Sequence, residues 1–178
     1  GISPSEILVI TFTKAASIEM RERFHNAMKG RYAPVTFGTF HAVFFTILKA
    51  AYHYTAENIL REEEKYTILR DILEPMDLEI EDEKEFLLGV TEEISLIKNE
   101  RISLEHYYSS NCPEDVFRSI FREYQQALIR KRKLDFDDMI LCCYELFSQR
   151  PDILNAWRRK FVYILVDEFQ DINSLQYK

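Results

Sequence analysis

Three short strand patterns lie near the two ends of the chain, and a long run of helical patterns separates the second from the third. The first covers residues 6 to 11 and the second residues 35 to 37, whereas the third and strongest covers residues 161 to 166. A helical pattern follows each of the first two, which is the order of a parallel sheet connected by helices. The sequence therefore predicts an α/β fold with a large helical insertion.

The distribution of charge supports an insertion. Residues 55 to 115 hold 18 acidic and 6 basic side chains, net −12, and the rest of the chain sums to +5. This pattern predicts a subdomain inserted in the acidic middle of the chain, with the two flanking segments combining into one α/β domain. The acidic segment itself is interpreted as a solvated helical surface, and the flanking segments are the ones expected to contact a polyanion.

Composition argues against several other classes of protein. No stretch approaches the roughly 18 consecutive apolar residues of a membrane span, and no signal segment opens the chain, so we expect a cytoplasmic protein. The three cysteines show neither a disulfide framework nor a zinc spacing, and the four glycines are too scattered for a phosphate-binding loop. The chain does not begin with methionine, and we expect it to be part of a longer protein.

The third strand is an apolar run that we expect to be buried, and it leads directly into the acidic string D-E-F-Q-D, which starts with Asp167 and Glu168. Acids at the carboxyl end of a parallel strand lie in the crevice where α/β sheets bind ligands. Phosphoryl transfer needs one carboxylate to help hold Mg²⁺ and a second to orient or deprotonate the attacking water, roles that suit Asp167 and Glu168 in turn. The alternative is that these acids cap a helix that begins near Asn173.

Four strings in the same order resemble motifs of the UvrD/Rep/PcrA family of superfamily 1 DNA helicases. They are V-D-E-F-Q-D-I-N at 166–173 (motif II, the Walker B box), I-T-F-T-K-A-A-S-I-E-M at 10–20 (motif Ia), T-F-H-A at 39–42 (motif Ib) and L-D-F-D-D-M at 134–139. The resemblance implies a partial RecA-like P-loop NTPase sheet with an inserted all-helical subdomain. Residues 1–53 and 134–178 would form domain 1A, and residues 54–133 subdomain 1B.

The resemblance implies roles for the residues of motif II. Asp167 would coordinate the Mg²⁺ that accompanies ATP, Glu168 would be the catalytic base, and Gln170 would sense the γ-phosphate. Asp171 is expected to cap the following helix. Family members carry a G-x-x-x-x-G-K-[ST] loop ahead of motif Ia, and this sequence has none, so we expect the chain alone to hydrolyse ATP negligibly.

Motifs Ia and Ib imply a set of DNA-binding residues. These are Thr11, Phe12, Thr13, Lys14, Thr39, Phe40 and His41. Threonine hydroxyls bind phosphate oxygens, and an exposed phenylalanine stacks on a base of any sequence. The implied partners are single-stranded DNA and junctions of single and double strands. Without the resemblance, Phe12 would be interpreted as a core residue.

The basic run at residues 130–133 is open to two interpretations. In one, Arg130 to Lys133 contact the backbone of single- or double-stranded DNA. In the other, they are a solvated helix end that complements the helix dipole. The sequence does not decide between them.

The whole protein is expected to be an ATP-dependent 3′-to-5′ DNA helicase of repair, replication or recombination, in the bacterial cytoplasm or nucleoid. One alternative is the helicase subunit of an AddA/RecB-type helicase-nuclease, which the form T-F-T-x-A-A at residues 11–16 resembles. The other is a non-enzymatic, helicase-derived module that binds DNA or protein. The intact D-E-x-Q-D string counts against that last alternative.

Overall fold

A three-stranded parallel sheet lies at the centre of one part of the molecule. The computed structural model describes residues 1–177, and its strands are β1 (Ile7–Thr11), β2 (Thr36–Thr39) and β3 (Tyr163–Val166). They lie in the order β2-β1-β3, and both neighbouring pairs are parallel. The predicted parallel α/β arrangement is confirmed.

Helices make up most of the remaining chain. Within the described residues they are α1 (Lys14–Ala27), α2 (Phe40–Tyr52), α3 (Glu62–Leu73), α4 (Glu83–Glu100), α5 (Glu114–Lys131), α6 (Phe136–Gln149), α7 (Pro151–Lys160) and α8 (Ser174–Tyr177). None of these is long and apolar enough to cross a membrane. Short 3₁₀ turns connect several of them.

The chain packs as two compact units. One combines Gly1–His53 with the segment that begins at Cys142, and the other is Tyr54–Leu141. The return to the sheet-containing unit therefore comes at Cys142, later than the expected position at residue 134. The physical reason is that Asp135 and Asp138 form ion pairs with Lys98 of α4, so the start of α6 packs within the helical unit.

The core of the sheet-containing unit forms around β1. Leu8, Val9 and Ile10 are all less than a tenth exposed, as expected for a parallel strand covered on both faces. Leu8 and Ile10 pack with Phe40 at the start of α2 and with Phe161, which precedes β3. β1 is thus buried, as its β-branched, apolar sequence predicts, and it lies between the other two strands.

β3 differs from the buried strand that the sequence predicted. Ile164 and Leu165 are 56% and 57% exposed, although they point to opposite faces of the sheet. Among residues 1–177, β3 pairs with β1 alone and therefore lies at the edge of the sheet. Within the described chain, β3 is therefore an apolar strand in an exposed position at the edge of the sheet.

The helical unit has a separate apolar core contributed by α3, α4 and α5. Leu69, Val90 and Ile120, one from each helix, are at most 1% exposed. The segments that enter and leave this unit lie side by side, because Leu60 donates its N–H to the carbonyl of Leu134 at 2.8 Å. The backbone hydrogen bond between Leu60 and Leu134 therefore joins the first and last parts of this unit.

Candidate functional site

The predicted site residues meet at the carboxyl edge of the sheet. The three parallel strands end at Thr11, Thr39 and Val166, and the segments at these ends hold all of the predicted site residues. The register places Thr11 beside Thr39 and Ile10 beside Val166. This edge is where sheets of this type bind ligands.

Asp167 is the first residue after β3. Its backbone N–H donates a 2.9 Å hydrogen bond to the carbonyl of Ile10, so the backbone is fixed to the end of β1. Its half-buried carboxylate forms no hydrogen bond or ion pair with any other residue in the described part of the chain. A fixed carboxylate with free oxygens is a suitable ligand for a hard divalent cation such as Mg²⁺.

Glu168 has a strained backbone. Its φ of 49° and ψ of 48° are left-handed, which costs a non-glycine residue about 1–2 kcal/mol. The other non-glycine residues with positive φ in the described chain follow the C-terminal ends of helices, whereas Glu168 precedes a 3₁₀ turn and lies two residues after the end of β3. Strain of this kind is concentrated at functional sites. The exposed Glu168 carboxylate accepts a hydrogen bond from the Gln170 side-chain amide.

Asn173, and not Asp171, caps α8. The Asn173 side chain accepts from the backbone N–H of Gln176 at 2.8 Å, and the Gln176 side chain accepts from the N–H of Asn173 at 3.0 Å. Asp171 instead donates its N–H to the carbonyl of Glu168 at 2.9 Å and closes the preceding turn. Since this reciprocal cap satisfies the start of α8, the interpretation of Asp167 and Glu168 as helix caps is wrong.

The segment after β1 presents Thr13 and Lys14 at the surface. The Thr13 hydroxyl accepts the N–H of Ala16 at 3.1 Å and caps α1. The exposed Lys14 has no hydrogen-bond or ion-pair partner among residues 1–177. Thr11 differs from both, because its side chain is 0% exposed and its hydroxyl donates to the Thr13 carbonyl at 3.0 Å. Its hydroxyl is thus used inside the protein.

The segment after β2 is only partly accessible. Thr39 caps α2 by accepting the N–H of Ala42 at 3.2 Å, and the adjacent His41 is half-buried. Phe40 is 4% exposed, and its ring centroid lies 5.3 Å from that of the half-buried Phe12. Because the Phe40 ring is buried and packs against other side chains, it is not exposed for base stacking.

The basic run at residues 130–133 is partly engaged within the helical unit. The Lys133 ammonium lies 2.8 Å from the Glu64 carboxylate, and the Arg132 guanidinium lies over the Tyr54 ring at 5.7 Å. Arg132 also ends α5 in a left-handed conformation. The Arg130 guanidinium lies 3.9 Å from the Glu123 carboxylate. These contacts favour the structural interpretation for three of the four cations.

The helical unit contains a buried ion cluster that sequence reasoning missed. The Lys98 ammonium lies 2.6 Å from a carboxylate oxygen of Asp135 and 2.7 Å from one of Asp138. Tyr124 donates its hydroxyl to Asp135 at 3.1 Å. The acids lie in the string L-D-F-D-D-M, but nothing in the sequence identifies a lysine 37 positions away as their partner.

Burial and charge act in opposite directions on this cluster. Burial raises the pKa of Asp138 to about 6, and the nearby Asp135 carboxylate adds to the increase while Lys98 opposes it. Burial also disfavours ionised Asp135, but the Lys98 ammonium outweighs it and holds the pKa of Asp135 below its usual range. Burial likewise disfavours charged Lys98, yet the two carboxylates keep its pKa above the usual value.

Comparison with known proteins identifies the family of this chain. A family model described as the UvrD/REP helicase N-terminal domain matches residues 1–178. The chain belongs to this family of helicase N-terminal domains. The resemblance found in the four motif strings is confirmed, as is the partial RecA-like fold.

Individual relatives align over almost the whole chain. It is 36% identical over 195 residues to the putative ATP-dependent DNA helicase YjcD of Bacillus subtilis, covering 100% of this chain and 24% of that protein. It is 34% identical over 182 residues to DNA helicase II of Escherichia coli, and the alignment covers 98% of this chain and 25% of that protein. It is 33% identical over 186 residues to the ATP-dependent DNA helicase PcrA of Bacillus subtilis, and the alignment covers 99% of this chain and 24% of that protein. The chain thus spans about a quarter of the length of these relatives.

Proposed function

We propose that this chain is part of an ATP-dependent DNA helicase that couples Mg-ATP hydrolysis to movement along single-stranded DNA, in the 3′-to-5′ direction, and to duplex unwinding. The observation that carries the proposal is the free Asp167 carboxylate beside the Glu168–Gln170 pair, at the carboxyl edge of a parallel sheet. The printed names of the relatives, which describe DNA helicases, support the same activity. We assign the sheet-containing unit to domain 1A and the helical unit to subdomain 1B.

Three side chains divide the chemistry of ATP hydrolysis. Asp167 would hold Mg²⁺, which neutralises phosphate charge when it is bound. Glu168 accepts a proton from water as the water oxygen attacks the γ-phosphorus and the bond to ADP breaks. Gln170 donates to the Glu168 carboxylate, and this hydrogen bond orients the base. Movement of Gln170 towards the γ-phosphate would free Glu168, so the pair is suited to sense the nucleotide.

The same edge of the sheet supplies the proposed contacts with single-stranded DNA. Thr13 and Lys14 open α1, and Thr39 and His41 lie where α2 begins. Helix N-termini and cationic side chains attract phosphate groups without regard to base sequence. Because the register places the ends of β1 and β2 side by side, one DNA strand would contact both segments.

The test is Glu168→Gln in the full-length protein, which removes the base and retains the size of the side chain. We expect ATP and Mg²⁺ affinity within about 3-fold of the unmodified protein and a loss of turnover of roughly 100-fold or more, the usual effect of losing a general base. Steady-state hydrolysis with single-stranded DNA and binding of a fluorescent ATP analogue measure both quantities.

The matched control is Glu145→Gln, an exposed glutamate on α6. It should hydrolyse ATP at the rate of the unmodified protein. DNA-stimulated turnover above about a tenth of the original rate in Glu168→Gln would refute the assignment of the base. An unmodified full-length protein that neither hydrolyses ATP nor unwinds DNA would overturn the helicase proposal and favour a non-enzymatic binding module.

A further inference from the structure

The buried hydroxyl of Thr11 has a specific task. Thr11 ends β1 and is 0% exposed, so a valine of the same shape would fill the position without a polar atom. Burying a hydroxyl is unfavourable unless it forms a hydrogen bond. Thr11 satisfies this requirement by donating to the carbonyl oxygen of Thr13 at 3.0 Å.

Thr13 is held from several directions. Its carbonyl accepts the N–H of Ser17 at 3.1 Å, the first bond of α1, and the Thr11 hydroxyl occupies that same oxygen. Its own hydroxyl accepts the N–H of Ala16. The Thr11 hydroxyl therefore fixes the peptide that connects Thr13 to the exposed Lys14.

Thr11 also adjoins the bond that fixes the acidic turn. The carbonyl of the preceding residue, Ile10, accepts the N–H of Asp167 at 2.9 Å. Two consecutive residues at the end of β1 thus hold the backbone of Asp167, on the nucleotide side, and the segment proposed to contact DNA. The sequence predicted that the Thr11 hydroxyl itself binds DNA, but its burial directs it to the Thr13 carbonyl instead.

We propose that Thr11 is a positioning residue: its hydroxyl holds Thr13 and Lys14 in the geometry in which they contact a DNA phosphate, without touching DNA itself. This inference rests on the proposed helicase function. It predicts that removal of the hydroxyl weakens DNA binding through Lys14 and leaves the nucleotide site intact.

The experiment compares Thr11→Val, Thr11→Ser and Lys14→Ala in the full-length protein. Valine retains the volume and the strand preference but removes the hydroxyl, and serine retains the hydroxyl. We expect Thr11→Val to keep ATP hydrolysis without DNA within about 2-fold and to raise the Kd for a dT oligonucleotide roughly 3- to 10-fold, the range expected for the loss of one ordinary hydrogen bond. Thr11→Ser should bind the oligonucleotide with the Kd of the unmodified protein.

The salt dependence of oligonucleotide binding separates positioning from direct contact. Loss of one cation-phosphate contact lowers the slope of log Kd against log salt by about 1. We expect Thr11→Val and Lys14→Ala each to lower it, and the double variant to lower it no further than Lys14→Ala alone. An unchanged slope with weaker binding would show direct contact by the hydroxyl and overturn the inference.

Two further outcomes also overturn it. Thr11→Val with the DNA affinity of the unmodified protein would show that the hydroxyl has no role in binding. Equal losses in Thr11→Val and Thr11→Ser, with lower hydrolysis in the absence of DNA, would show a general disturbance of the sheet edge and not the loss of a positioning hydroxyl. Both results require an unmodified protein that hydrolyses ATP in response to DNA, so they are distinct from failure of the helicase proposal.

Discussion

The backbone N–H of Asp167 donates a 2.9 Å hydrogen bond to the carbonyl of Ile10. This bond continues the β1–β3 ladder one residue beyond the register pair Ile10 and Val166. It fixes the backbone of Asp167 without using the carboxylate, which has no partner in the described chain. The acidic turn therefore begins at a rigid point, and its first side chain is available to a ligand.

Replacing Asp167 by asparagine tests the proposed Mg²⁺ contact. Asparagine keeps the backbone hydrogen bond and the side-chain size but loses the charge. In the full-length protein we expect a decrease in maximal turnover of roughly 100-fold, because stabilisation by the metal contributes several kcal/mol. The Mg²⁺ concentration for half-maximal hydrolysis should also rise, as measured by initial rates in an Mg²⁺ titration. An unchanged Mg²⁺ requirement would exclude Asp167 as a ligand.

Lys98→Met should strongly destabilise the helical unit. The methionine packs well but leaves the buried carboxylates of Asp135 and Asp138 without their cation, a loss of about 3–5 kcal/mol. Urea unfolding of the 178-residue chain, followed by circular dichroism, measures the free energy of unfolding. Lys84→Met, an exposed position on the same helix, should change that free energy by no more than about 0.5 kcal/mol. Similar values for the two variants would contradict the prediction.

Asp138 should make the chain less stable as the pH rises from about 4 to about 6. Its pKa is raised to about 6 in the folded chain and is near its ordinary value when unfolded, so the folded state binds more protons between these values. Stability falls with pH wherever the folded state binds the extra proton. Asp138→Asn mimics the protonated form and should remove this contribution.

The measurement is the difference in free energy of unfolding between the unmodified chain and Asp138→Asn at several pH values. Relative to the variant, the unmodified chain should lose on the order of 1 to 3 kcal/mol between pH 4 and pH 6.5, according to the size of the pKa shift. Carboxylates outside the cluster of Lys98, Asp135 and Asp138 titrate in both proteins and cancel in the difference. A difference that does not vary with pH would show that Asp138 has an ordinary pKa.

Replacing Gly89 on α4 by alanine should destabilise the chain, although alanine in place of a helical glycine usually stabilises a protein. A Cβ at Gly89 would collide with the side-chain amide of Asn111, which also forms a hydrogen bond to the buried Glu93. Alanine normally stabilises a helix by about 1 kcal/mol over glycine, but a lost hydrogen bond to a charged group costs about 1.5–3 kcal/mol. We therefore expect Gly89→Ala to destabilise the chain by about 1 kcal/mol in thermal or urea unfolding.

Asn111→Ala supplies the control for this change. With the amide removed, the three atoms nearest to the added methyl group are gone, and Gly89→Ala should then stabilise the chain by about 1 kcal/mol. If Gly89→Ala had the same sign with and without Asn111, the collision would not determine the outcome.

Much of the fold could be predicted because its signals are local. Helix α3 follows directly from a helical pattern of apolar residues, and β1 follows from a β-branched, apolar run. The position of the site was also predictable, since the ends of parallel strands share one edge of the sheet. Asp167 and Glu168 therefore lie where the sequence predicted them, while their catalytic roles stay predictions.

The sequence by itself determined which segments are strands and helices, which family the chain resembles, and which acids follow the last strand, because these properties depend on neighbouring residues. The tertiary structure alone decided which polar groups are buried and what they bind. Thr11 and Thr13 look equivalent in the string T-F-T, yet one hydroxyl is enclosed and the other caps a helix. Lys98 resembles any helical lysine until packing places it between two carboxylates. The reason is that burial and ion pairing depend on contacts between residues far apart in the chain, which no local pattern records.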